Sequence, residues 1–195
     1  EPRDIDYILI THGHFDHIGD LFPACELNKE AKIITSIEIS TWLNAKGIPN
    51  TLPMGIGGTQ PIDNDIKVTM VNAVHASGIA DESSEAMLYG GVANGFVVTF
   101  KNGFAIYFAG DTAVFSDMKL IGDIYSPDLA VLPIGDHFTM GPKEAFYATK
   151  LLGVKNVIPF HYATFPVLVG TPEEYLELVK DLGVNVYVMN PGDVL

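Results

Sequence analysis

The sequence is poor in cysteine, in positive charge and in long apolar runs, and each shortage removes a class of protein. A lone cysteine, Cys25, stands in 195 residues, so no internal disulfide can form. That favours a reducing compartment, and a cytoplasmic location is the expectation. Lys and Arg total 11 against 24 Asp and Glu, a formal charge of −13. A surface this acidic repels phosphate backbones and anionic membranes, which disfavours a nucleic-acid partner. The repulsion concerns the exterior. Bound divalent cations can make a site locally positive, so a small anionic substrate stays admissible. No apolar run approaches the roughly 20 residues that span a bilayer, and no membrane contact is expected. Nor does a charged segment followed by an apolar stretch open the chain as a secretion signal would.

What is present suits a single domain over 1–195, with 48% hydrophobic and 18% charged residues. The chain opens "EPRDIDYILI", without Met, and enters an apolar strand almost at once. A buried strand usually has something before it to pair with, so a further N-terminal portion is expected. The apolar run 5–11 reads as a central strand covered on both faces. A helix is expected over 17–28, a strand over 31–36, and a helix over 37–47 closed by Gly47. Residues 52–62 hold enough Gly and Pro to read as loop. The Gly-rich 55–60 lacks the Lys-Ser/Thr of a phosphate-binding loop and reads as a turn. A strand follows over 66–75, and "GFVVTF" and "GFAIYF" flank an Asn-Gly hairpin signal. Beyond it strands (129–135, 156–162, 184–189) alternate with helices (142–153 and one opened by Thr171-Pro172). The acidic 81–85 reads as a solvated loop, and Cys25 as a helix-packing residue.

The chemistry is concentrated in "THGHFDHIGD". His12, His14, Asp16, His17 and Asp20 fall within nine positions directly after an apolar run. Side chains two apart on an extended segment point the same way, so His12, His14 and Asp16 can converge. His17 can point elsewhere and feed a neighbouring position. A single histidine is most often an ordinary surface or hydrogen-bonded residue. Here His75, Asp111 and His161 also stand at the ends of apolar segments, where sheet proteins place their chemistry. Imidazole and carboxylate donors suit zinc, manganese or iron, and the absence of thiolates excludes a structural zinc finger as the model.

The stretch "THGHFDH" carries the H-x-H-x-D-H signature and resembles the metallo-β-lactamase superfamily. The order His12, His14, Asp16, His17, His75, Asp111, His161 resembles its full ligand set. The phrases "PIGDHFTMGPKEA" and "HYATFP" are similar to small prokaryotic metal-dependent hydrolases related to ascorbate-phosphate lactonases. The resemblance implies an α/β fold, an αββα sandwich of two mixed sheets flanked by helices, with an N-terminal β segment that this chain lacks. It implies two divalent cations, zinc first and manganese or iron as alternatives. His12, His14 and His75 would hold one, Asp16, His17 and His161 the other, and Asp111 would bridge them. The loop holding Asp136 and His137 would face the site. For His137, ligand, substrate contact and plain loop residue are all open, and Asp136 is equally ambiguous. Tyr162, with Thr164 and Phe165, is expected to shape the pocket.

The expected activity is hydrolysis of a small molecule. A metal-bridging hydroxide would attack an ester, lactone or phosphodiester, with Asp16 orienting it or taking its proton. An iron-dependent oxygenase on the same fold is the first alternative, since ligand type does not select zinc over iron. His14 stands where flavin-coupled di-iron relatives carry Glu, which argues against that branch. RNA processing is a further alternative, disfavoured by the acidic charge. A non-catalytic relative fits poorly with a complete ligand set. A homo-oligomer, or a separate N-terminal segment completing the fold, are the partners left open.

Overall fold

The buried apolar side chains sort into three clusters, and these clusters lie between the layers of the fold. The computed structural model describes residues 3–81 and 85–195. Three strands, β1 (Tyr7–Leu9), β2 (Lys32–Ser36) and β3 (Thr51–Met54), form a parallel sheet in the order β1-β2-β3. A larger mixed sheet holds β4 (Thr59–Pro61), β5 (Lys67–Asn72), β8 (Asn94–Thr99), β9 (Ala105–Phe108), β10 (Leu129–Pro133), β11 (Asn156–Phe160) and β12 (Asn185–Val186). Its order is β12-β11-β10-β9-β8-β5-β4. A small ribbon pairs β6 (Gly78–Ile79) with β7 (Leu88–Tyr89).

Ile34 and Met54 of the smaller sheet meet Val68, Met70 and Phe96 of the larger one, so the two sheets face each other. Outside the smaller sheet lie α1 (Phe15–Ile18), α2 (Leu21–Leu27) and α3 (Ile37–Ala45), joined to it by Ile18, Leu21, Ile33, Ile39 and Leu43. Outside the larger sheet lie α4 (Met118–Tyr125), α5 (Pro142–Leu152) and α6 (Pro172–Val179). They are joined to it by Met118, Ala145, Tyr175, Val97 and Leu132. The four layers are the αββα sandwich. Strand alternation produces the sorting: Ile33 points to the helices and Ile34 to the facing sheet, Phe96 to one core and Val97 to the other. Both faces are covered, so Val68, Thr69, Met70 and Val71 of β5 are all buried and its apolar-polar alternation disappears.

Local chemistry sets the element ends. Thr171 caps α6 by accepting from the Glu174 N–H at 3.2 Å. Gly153, at φ +67°, closes α5. The expected 17–28 helix is instead two pieces. Pro23, near the start of α2, has no N–H to give Gly19, so helix cannot run on through 19–20. The stretch read as loop over 52–62 holds β3 and β4, with the 55–58 turn between them. Both are edge strands among the described residues, where Pro53 and Pro61 are tolerated. The 5–11 run is half-buried in β1, which among the described residues pairs with β2 alone. The 66–75 strand stops at Asn72, because the Val74 N–H and C=O leave the ladder for Thr112 Oγ1 and the Ala113 N–H. The last strand shrinks to β12. The helix α4 had no counterpart in the sequence reading.

Residues 82–84 of the acidic stretch lie outside the described residues. Asp81 is not solvated but buried, its carboxylate taking the Trp42 Nε1–H at 2.6 Å and Lys46 Nζ at 2.7 Å. This ties the segment after β6 to α3. Asp81→Ala should therefore cost about 2 kcal/mol through an unpartnered indole N–H, lowering Tm by about 4–8 °C in thermal unfolding.

Candidate metal centre

The strand directions bring the polar residues to one rim. β9, β10 and β11 run parallel, and β5 runs the same way through two antiparallel steps. Asp111 follows β9, His161 follows β11, and His75 lies three residues past β5. All three therefore lie beyond carboxyl strand ends, as do His12 and His14 beyond β1. His14 is extended and precedes α1, whereas Asp16 and His17 sit within that helix. Asp16 thus reaches the site because the chain turns helical, not by strand alternation.

The seven side chains form two groups. In one, His14 Nδ1 is 3.1 Å from His12 Nε2 and 3.3 Å from His75 Nε2. In the other, His161 Nε2 is 3.5 Å from Asp16 Oδ2 and 3.2 Å from Asp111 Oδ2, while His17 Nε2 is 3.6 Å from Asp16 Oδ2 and 3.3 Å from Asp111 Oδ1. Asp111 Oδ2 also lies 3.8 Å from His12 and 3.7 Å from His75, so this carboxylate borders both groups. A tetrahedral cation about 2.0–2.1 Å from each nitrogen spaces its donors about 3.4 Å apart. The observed separations fit that demand in each group.

Protonation states point the same way. Burial, reinforced by the charge of His17, pushes His12 down to about 3, so it is neutral and has a lone pair to give. Burial also lowers His75. The hydrogen bond to Asp111 raises His161. For Asp111, burial favours the neutral acid, but His161 and His17 outweigh it and hold the carboxyl well below the usual range. Asp111 Oδ1 is buried, and its nearest charged neighbour is His17 Nε2 at 3.3 Å. A buried anionic oxygen is costly unless a cation takes it.

The supporting residues are less visible in sequence. Gly13, between the first two histidines, donates its N–H to Ser77 Oγ at 3.1 Å. A Cβ there would meet Ile79 Cγ1 at 2.5 Å. Thr11 Oγ1 stands 3.1 Å from His12 Nδ1 and orients the ring. Thr112 is fully buried and accepts from the Val74 N–H at 3.0 Å, tying the His75 segment to Asp111. Its place directly after Asp111 in "AGDT" was the available signal.

A cavity of about 530 Å³ opens over the centre, bordered by His14, Asp16, His75, Asp111 and His161. Its wall is Phe15, Met87, Phe138, Phe165, Pro166 and Val167. Asp136, His137 and Tyr162 do not line it. Asp136 borders a separate depression, and its Oδ1 accepts from the His137 N–H at 2.6 Å. His137 is exposed with its ring edge-on to Phe138, and Tyr162 packs against the core under α4–α6. Asp136 and His137 both adopt positive φ, +65° and +60°, which turns the loop so that Phe138 reaches the cavity in their place.

Residues 1–162 match the family model of the beta-lactamase superfamily domain. A UPF0173 metal-dependent hydrolase of Rubrobacter xylanophilus is 50% identical over 194 residues, spanning 98% of this chain and 79% of that protein. One from Koribacter versatilis is 48% identical over 195 residues, 99% of this chain and 80% of that protein. Igni18, a metallo hydrolase of Ignicoccus hospitalis, superposes with a TM-score of 0.84 at 37% identity, over 96% of this chain and 77% of its own. The chain belongs to the metallo-β-lactamase superfamily and, within it, to the UPF0173 metal-dependent hydrolases.

Proposed function

We propose that this metal-dependent hydrolase is dinuclear and cleaves an ester, lactone or phosphodiester bond of a small molecule. The observation that carries the reading is Asp111, whose one carboxylate lies within 3.2–3.8 Å of imidazoles from both groups. His12, His14 and His75 would hold one cation, Asp16, His17 and His161 the other, with Asp111 shared. When bound, the pair would supply Lewis acidity and lower the pKa of water toward neutrality. The chain's own residues do the rest. His12, sealed from solvent, stays neutral and fixed. Asp16 both belongs to the second group and borders the cavity, so its carboxylate is available to orient the attacking water and take its proton. Phe138 and Phe165 exclude bulk water from one side.

Protein reconstituted separately with zinc, manganese or iron and passed through a desalting column should retain two equivalents of metal per chain by elemental analysis. One equivalent would remove the dinuclear reading. Stoichiometric iron with oxygen consumption would move the chain to the oxygenase reading. Asp16→Asn keeps an oxygen donor but cannot accept the proton. It should retain metal and lose turnover by about 10²–10⁴-fold. Full turnover by the metal-loaded variant would exclude Asp16 as the base.

A further inference from the structure

The cavity over the centre is chemically lopsided. Its floor carries the charge: all its titratable side chains, His14, Asp16, His75, Asp111 and His161, belong to the two donor groups. Among the described residues the rest of its border is apolar, and no Lys or Arg lines it. Phe15 and Phe165 face each other edge-on with ring centroids 6.3 Å apart, joining α1 to the segment after β11. Phe15 and Met87 are 66% and 64% exposed, and Phe138 54%, large apolar surfaces held beside an otherwise acidic molecule. Exposed apolar area of this kind, rimming a concave polar floor, marks a surface that gains by covering.

A phosphomonoester or a free carboxylate brings charge that needs cationic partners beyond the cations being used for chemistry. This border offers none, and the −13 exterior opposes the approach of an anion. We infer that the cavity takes an uncharged substrate, a carboxylic ester or lactone. Its apolar chain or ring lies on the Phe15–Phe138–Phe165 wall while its carbonyl lies over the floor formed by the two donor groups. This rests on the hydrolase reading and narrows it. In the reaction, the oxygen of water bonds to the acyl carbon and the acyl C–O bond breaks. One proton passes to the departing alkoxide, and the other is released as the carboxylic acid ionises. At about 530 Å³ the cavity is of the size that takes a drug-like group.

The test uses metal-loaded full chain with two independent readouts. The first is kcat/KM on 4-nitrophenyl acetate, butyrate and hexanoate, set against 4-nitrophenyl phosphate and bis(4-nitrophenyl) phosphate. Each ester should exceed both phosphates, and butyrate should exceed acetate about tenfold, as expected for burying two further methylenes. Phe138→Ala and Phe165→Ala should each reduce the butyrate-to-acetate ratio at least threefold with metal content unchanged. Phe100→Ala, on the distant hairpin loop, should leave the ratio as in the parent. The second readout is equilibrium binding of the neutral fluorophore N-phenyl-1-naphthylamine, which needs no turnover. It should bind the parent and lose at least threefold in affinity in Phe165→Ala. Preference for either phosphate, or a ratio that neither Phe variant changes, overturns the inference and leaves the hydrolase reading standing. Binding of the fluorophore without hydrolysis of any substrate supports the apolar wall and counts against the hydrolase reading. Failure of both removes the two together.

Discussion

An Asp111→Ala protein is expected to lose both cations together and to fall at least about 10³-fold in kcat/KM. Replacing any single imidazole should empty one group and leave the other partly competent. Asp111 differs because its Oδ2 borders His12, His75 and His161 while Oδ1 faces His17. It is also the only carboxylate within 4 Å of the His12 group among the described residues. Without it, the three imidazoles of His12, His14 and His75 must hold a dication with no carboxylate beside them, and Asp16 alone must balance the other. Lewis-acid stabilisation is worth several kcal/mol of barrier, and each 1.4 kcal/mol is tenfold in rate. Metal content by elemental analysis should fall toward zero, while far-ultraviolet circular dichroism should stay native, since the side chain's ion-pair partners are the imidazoles of the two groups and not the apolar clusters. Asp111→Asn keeps the shape without the charge. It should fall between the two, retaining less than one equivalent. Retention of two equivalents by Asp111→Ala would show that the shared carboxylate is dispensable.

Much of this centre was visible in the chain. The four candidate ligands of "THGHFDH" fall within six positions, so no folding knowledge was needed to group them. His75, Asp111 and His161 could be added because each follows an apolar segment, and parallel strands deliver their carboxyl ends to one rim. The hairpin at 94–108 was equally legible, its Asn-Gly closing a turn in which Phe104 C=O accepts from the Phe100 N–H at 2.8 Å. What escaped depends on partners remote in sequence. β3 and β4 look like loop because their Gly and Pro content is read locally, whereas an edge position makes proline acceptable. α4 lies in a stretch without a strong cap, with Asp117 before it making no side-chain cap bond. The cavity wall is assembled from Phe15, Met87, Phe138 and Phe165, which sit on four separate segments. Asp136 and His137 looked functional by residue type, yet their positive φ presents their neighbour Phe138 to the cavity.

Gly135→Ala is expected to be a strongly disruptive single-methyl change in the larger sheet's rim. Gly135 follows β10, and a Cβ there would sit 2.0 Å from the backbone oxygen of His161. That oxygen cannot swing away as a side chain would. Ile134 N–H donates to Phe160 C=O at 3.0 Å, and Gly170 N–H donates to Gly135 C=O at 3.1 Å, so three segments are pinned at one crossing. Gly170 has the same problem, its Cβ meeting Ile134 oxygen at 1.9 Å. The methyl can be admitted only by moving His161, whose own backbone is already held at φ +56°. Overpacking of this kind costs about 3 kcal/mol, so Tm should fall by about 6–12 °C. Moving His161 should also weaken the Asp16–His17–Asp111–His161 group before the His12–His14–His75 group. Competition with a chelator should then show one of two cations released at lower chelator concentration than in the parent. Gly153→Ala supplies the contrast. Its Cβ meets nothing within 4 Å, so only the left-handed φ of +67° opposes it. That costs about 1–2 kcal/mol with the chelator profile unchanged. A Gly135→Ala protein with parental Tm and parental metal release would mean that the close approach is not what seats His161.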